Sequence, residues 1–344
     1  MINEEYKMTE SNRITHIDLA KGICIILVVF FHTKGILGRT YAFDPFLASF
    51  RMPLYFFLSG YFFKTYGSFS LFIRKKTNRL LIPFAAFYLL TAVLLPNVLH
   101  YCFNIRFETV VGLPSLFAFV YPGEYPNIPI WFLLCLFIVN SVFYLMTSVV
   151  NHYCHHHRSV LLTLTTASLL CCPLGYALQA FWGTDIASLF KAFQSIPFFC
   201  LGFLWREHGI QGGWGMAFIM ALATFVMSMF IYDDPGWKAK AFITLSGLTG
   251  SLMVFYLSKM LVSIPYVSYL GRYSIILLLT HGLLVRIVTP ITIKLTQKMD
   301  PDIAITLTTA TILVSYSVII PLSRKYLPHI TAQKFLIPEH RFFQ

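Results

Sequence analysis

The chain has 344 residues, 57% of them hydrophobic and only 12% charged, and its mean hydropathy is +0.70. Soluble domains carry roughly 25% charged residues, and here the apolar runs recur along the whole length, so composition excludes an ordinary soluble globular protein. The formal net charge of +12 would suit a nucleic-acid partner, but its placement follows membrane topology instead, and no nucleic acid is expected.

A membrane-spanning helix needs about 20 mostly apolar residues. Ten runs are candidates: residues 16–37, 46–66, 79–100, 129–150, 159–181, 187–205, 214–232, 240–261, 269–293 and 303–326. The expected fold class is therefore all-α, a polytopic membrane protein of about ten transmembrane helices. It is read as one integral-membrane domain over 1–344, with helices in 16–326 and a tail at 327–344. The first run is too long, and too closely followed by a second, for a cleaved signal peptide, and no soluble domain is expected at either end. If the N-terminus is cytoplasmic and the ten helices alternate, seven Lys and Arg fall outside: Lys34, Arg39, Arg106, Lys238, Lys240, Lys294 and Lys298. Lys21, Arg51, Lys191, Arg272 and Arg286 lie in helices or at their ends, and the remaining fourteen of 26 are cytoplasmic. That bias matches the positive-inside rule and makes both termini cytoplasmic. Seven cysteines show neither metal-ligand spacing nor a disulfide framework and read as packing residues.

The first run opens on Thr15 and Asp18, spaced as a capping box. Lys21 and His32 are eleven residues apart, which offsets their side chains by about 20° and separates them by about 16 Å along a helix. Asp18 lies about 40° from His32 on the other side. One helix face thus carries a carboxylate, an ammonium and an imidazole in line. Ionisable groups inside a membrane are costly and usually face a bundle interior or a polar cavity. His32, in the outer half of the core, suits a general base or an acyl-carrying nucleophile, its unperturbed pKa lying near 6.5. The plainer reading is a neutral histidine bonded to a neighbouring helix, with Asp18 as cap and Lys21 reaching the interface.

In the second run, Arg51 near the outer end can bind an anionic acceptor or stabilise oxyanion charge, or simply anchor the interface. Ser59 precedes Gly60, a pairing that suits close helix packing better than nucleophilic attack. The stretch from Phe63 to Arg79 reads as a basic loop. Its Lys64, Arg74, Lys75, Lys76 and Arg79 can grip phosphates, although positive-inside loops commonly look like this. The longest outer connection, Tyr101 to Pro129, holds four prolines and Glu124, which can orient an acceptor hydroxyl or stay solvated. His152, His155, His156 and His157 invite a metal reading, but they sit in a short loop without a partner cysteine pattern, and no metal site is expected. His281 falls near the midplane of the ninth run with Ser274 about 20° away on the same face. It is a second candidate acid or base, or a hydrogen bond that holds the site together.

Several of these segments carry a resemblance. Ile17-Asp18-Leu19-Ala20-Lys21-Gly22-Ile23, continuing to Phe31-His32-Thr33, resembles the integral-membrane acyltransferase 3 family, whose signature is a basic residue, ten intervening residues and then a histidine, here Lys21 to His32. More closely it is similar to the fucose 4-O-acetylase-like branch. Met52-Pro53-Leu54-Tyr55-Phe56-Phe57-Leu58-Ser59-Gly60-Tyr61 resembles the family's second-helix motif, and Lys76 and Arg79 before Pro83 its R-x-x-R element. Trp131-Phe132-Leu133 and Gly271-Arg272-Tyr273-Ser274 with His281 resemble later landmarks. Arg51 departs from the branch, where histidine often precedes Met-Pro; a fixed cation binds but does not shuttle protons. The resemblance implies transfer of an acetyl group from cytoplasmic acetyl-CoA to a hydroxyl of a cell-surface or lipid-linked carbohydrate, in a bacterial inner membrane. No cofactor would be bound; acetyl-CoA would serve as donor, and membrane lipid would surround the helices. His32, Lys21, Asp18 and His281 would be catalytic. Lys76, Arg79 and Arg74 would hold CoA, and Arg51, Ser59 and Glu124 the acceptor. The same intramembrane Asp, Lys and His groups would equally suit the proton relay of a secondary transporter or glycan flippase, and a non-catalytic sensor sharing the fold would tolerate loss of His32.

Overall fold

The computed structural model describes residues 15–104, 111–121, 127–231, 236–261, 264–296 and 299–338. Among the described residues every regular element is helical. The main helices are α1 (Thr15–Ile36), α2 (Asp44–Arg51), α3 (Pro53–Tyr61), α4 (Phe69–Phe103), α5 (Trp131–Tyr153), α6 (His157–Trp182), α7 (Leu189–His208), α8 (Trp214–Met229), α9 (Trp237–Met260), α10 (Pro265–Arg272), α11 (Ser274–Leu295) and α12 (Pro301–Tyr326). Seven of them, α1, α4, α5, α6, α9, α11 and α12, are long and apolar enough to cross a membrane.

The three other expected runs are helical in shorter or less apolar form. The run 46–66 is divided into α2 and α3, with Pro53 as the first residue of α3. Proline has no N–H to continue a helix, and its ring clashes with the carbonyl four residues back. The run 187–205 becomes α7, with Lys191 near its start and Arg206 and Glu207 at its end, and 214–232 becomes the 16-residue α8. The basic loop expected up to Arg79 is shorter than its charge suggests. Ser68 caps a helix there, its hydroxyl accepting from the Leu71 N–H at 3.3 Å, so Arg74, Lys75, Lys76 and Arg79 all stand on α4.

Two wider, π-helical turns interrupt α4, at Thr77–Leu81 and Leu89–Leu94. Each ends two residues before a proline, Pro83 and Pro96. An extra residue in the turn relieves the clash between the proline ring and the carbonyl below it.

The chain divides into two compact units. The first holds residues 15–28, 43–54 and 211–274, and within it α2 packs on α8 and α9. A Cβ on Gly271 would collide with the Asp18 carbonyl, and one on Gly22 with the Val267 carbonyl, so α10 lies directly on the backbone of α1. The second unit holds residues 29–42, 55–210 and 275–338, where α7 packs on α5 and α6. Here Gly60 of α3 faces the Phe199 carbonyl of α7, and Gly202 faces that of Phe57. In lipid, helices gain little from excluding water from one another, and close approach at small residues supplies the packing energy instead. Beside this seam Phe63, Phe143 and Phe199 form a cluster with centroids 4.9–5.6 Å apart, in the range where aromatic pairs attract.

The seam makes a direct prediction. Gly60→Val must separate α3 from α7 and cost on the order of 1–3 kcal/mol, seen as a lower melting midpoint in detergent. Gly35→Ala, with open space at its Cα, should not lower the midpoint, since alanine favours a helix over glycine; equal midpoints for both variants would contradict the backbone contact.

Candidate active site

In the second unit, His32 of α1 and His281 of α11 meet with ring centroids 5.2 Å apart and ring planes at 52°. His281 is fully buried and His32 partly so. The His281 Nδ1 lies 2.7 Å from the Leu277 carbonyl, one turn back on its own helix. A carbonyl only accepts, so Nδ1 carries the proton and the neutral ring keeps its lone pair on Nε2. No side chain or backbone group among the described residues bonds that Nε2. Buried polar atoms are rarely left so, and this unbonded imidazole nitrogen beside a second imidazole is free to accept a hydrogen bond.

Buried hydrogen bonds on either side fix the His281 turn. Asn127 donates to the Leu279 carbonyl at 3.0 Å and to the Thr91 hydroxyl at 3.2 Å. Gly282 leaves room for the Asn127 carboxamide and Pro129, which a Cβ would meet. On the other side the Thr280 hydroxyl and the Tyr316 hydroxyl of α12 lie 2.9 Å apart. Sequence reasoning missed Asn127; its signal was a lone carboxamide two residues before Pro129, at the entry to the apolar α5. Lys34, read as an outer-segment charge, is buried instead. Its ammonium donates to the Arg39 carbonyl at 3.2 Å and lies over the rings of Phe31 and Tyr41.

In the first unit, Asp18 is buried and pairs with Arg272, Nε to Oδ2 being 3.8 Å. The backbone contact at Gly271 explains the pairing, because it sets the next residue beside α1. Arg272 was seen as a landmark without a role. Lys21 is half-buried on the same helix as Asp18. Arg51 is half-buried at the end of α2, with Cys24 and Asp44 within electrostatic reach. Ser59 in the second unit is half-buried, and the close contact at this motif belongs to Gly60. Glu124 lies outside the described residues.

The basic residues of α4 stand where the tail arrives. Arg74 and Lys76 are half-buried and Arg79 is exposed. Lys76 lies over the Phe72 ring at 5.5 Å and Arg79 over the Phe335 ring at 5.5 Å. Between them Asn78 is buried, and its carboxamide accepts from the Leu336 and Ile337 N–H groups at 3.0 and 2.8 Å and donates to the Ile337 carbonyl at 2.9 Å. One side chain thus substitutes for a strand partner along the tail. The expected tail, residues 327–344, is fastened to the helix at least as far as 337.

A helical, multi-pass membrane protein in which two helices bring a buried and a half-buried histidine together is the class these features define. The profile of the acyltransferase 3 family, described as an acyltransferase domain, matches residues 14–320. The chain belongs to that family and is a membrane acyltransferase. No curated protein and no solved structure matches it.

Asn78→Ala removes the bonds that hold the tail backbone. Trypsin cleavage after Lys334 should then accelerate by about tenfold or more, since buried hydrogen bonds contribute about 1–3 kcal/mol when a partner is left unsatisfied and cleavage follows the open population. A rate equal to wild type would show that the tail is held by other contacts.

Proposed function

We propose that this acyltransferase moves an acetyl group from cytoplasmic acetyl-CoA to a hydroxyl of a cell-surface or lipid-linked carbohydrate, in a bacterial inner membrane. The observation that carries the reading is the His32–His281 contact, 5.2 Å between ring centres, with the His281 tautomer fixed by Leu277. His32 takes the proton of the acceptor hydroxyl as its oxygen attacks the thioester carbonyl. The carbon–sulfur bond breaks, and the CoA thiolate leaves with a proton returned from the imidazolium. In the two-step form the acetyl group rests first on a nitrogen of His32, and the acceptor oxygen then displaces it. Both forms keep one imidazole at the carbonyl, and the unbonded His281 Nε2 offers a hydrogen-bond acceptor beside it. General base groups contribute typically 10²–10⁴-fold.

Lys76 and Arg79 stand at the first π-helical turn of α4, and Arg74 lies just before them. We assign these three to the phosphates of CoA, for which arginine offers two parallel bonds and lysine a point charge. Asp18, Lys21 and Arg272 are assigned to orienting the start of α1. Arg51, Ser59 and Glu124 are assigned to the acceptor.

The test is acetyl transfer in membranes with radiolabelled acetyl-CoA and the native surface glycan. At equal folded expression, His32→Ala should lower transfer by about 100-fold or more, and Lys76→Gln with Arg79→Gln should raise the KM for acetyl-CoA. If wild-type membranes move no label from acetyl-CoA with the true acceptor present, the donor and acceptor assignments are wrong, and proton-coupled transport becomes the reading to pursue.

A further inference from the structure

One of the four histidines between 152 and 157 acquires a partner through the fold. His157 opens α6 and His208 closes α7, and packing of these two helices brings their Nε2 atoms to 3.4 Å and their ring centres to 5.6 Å. Glu207 adds a carboxylate, and one ligand atom from each of the three lies within 4.8 Å of the others. All three side chains are exposed. Arg206 engages one carboxylate oxygen, Oε1, at 3.1 Å.

The nitrogen spacing is informative. The two Nε2 atoms are close enough for a tautomer-dependent hydrogen bond, and close enough to share one ion. Two imidazole nitrogens at about 2.0–2.1 Å from a tetrahedral ion are about 3.3–3.4 Å apart, which matches the spacing here. The donor set of two imidazoles and one carboxylate suits zinc, nickel or copper and not magnesium or calcium, which prefer all-oxygen shells. The sequence alone argued against a metal because the four-histidine segment reads as a short loop without a partner cysteine pattern. The partner comes from a residue 51 positions away.

We propose that His157, Glu207 and His208 form a surface site for one divalent transition-metal ion of the zinc class, which clasps the start of α6 to the end of α7. A water molecule completes the four-coordinate shell. This site is independent of acyl transfer, and its ligands belong to neither the histidine pair nor the basic residues of α4. Because the ligands are exposed, their replacement leaves the packed helices intact.

The test is zinc chloride titration by calorimetry of the full chain in detergent, free of any polyhistidine tag, with magnesium chloride as control. One zinc per chain should bind in the micromolar range, with no magnesium heat, and zinc should raise the melting midpoint. His157→Gln and His208→Gln should each weaken binding by about tenfold or more and remove that rise, whereas His152→Gln and His155→Gln should bind like wild type. Cobalt in place of zinc should show the visible absorption of a tetrahedral ion in wild type and lose it in both variants. The proposal is overturned if no saturable binding occurs. It is equally overturned if a His157→Gln, His208→Gln double variant binds zinc as wild type does.

Discussion

An apolar environment offers no solvent partner, so every polar side chain inside these helices must find its hydrogen bond within the protein. Most do so locally. Thr33, Asn140, Thr308 and Thr309 each bond the carbonyl one turn back on their own helix, which satisfies the group and leaves the helix free to pack by shape. His281 uses the same device for Nδ1, toward Leu277. Its second nitrogen has no such outlet, because a ring bonded one turn back cannot aim both nitrogens along its own helix. That unbonded nitrogen lies next to His32, which sets His281 apart from polar residues that bond only along their own helix.

Within the second unit, hydrogen bonds fasten the helix that carries His281 to its neighbours. Asn127 fastens the entry of α5 to α11, and the hydroxyls of Thr280 and Tyr316 fasten α11 to α12. Glycines do the coarser work, Gly60 and Gly202 bringing backbones together in the second unit and Gly22 and Gly271 in the first. Small residues matter here because packing and internal hydrogen bonds must provide what the hydrophobic effect provides in water. Asn78 applies the same economy at the basic end of α4, where one carboxamide holds a length of tail that has no regular structure of its own.

Hydropathy made the helical, membrane-spanning class legible, and helix periodicity singled out His32 as an intramembrane imidazole. His281 was also visible, but its proximity to His32 was not, because 249 residues separate them and periodicity is local. The division of the run 46–66 was written in Pro53, yet an apolar count outweighs one proline unless its missing N–H is considered. The basic segment before Arg79 was misread as loop because charge suggested solvent, whereas Ser68 supplied a cap and made it helix. Arg272 beside Asp18 and Asn78 beneath the tail were beyond reach for one reason: each is a tertiary contact with a residue 254 or about 259 positions away. The histidines 152–157 failed as a metal motif on sequence spacing and regained interest only when α7 brought His208 to His157.

The central claim is that His32 and His281 act as one chemical unit, and a double-mutant cycle on acetyl transfer tests it most directly. Rates would be measured for His32→Ala, His281→Ala and the double variant at matched amounts of folded protein. Groups that work together are strongly non-additive, so the account predicts that the double variant is about as slow as the slower single. Full activity in His281→Ala, or losses that multiply in the double variant, would contradict it.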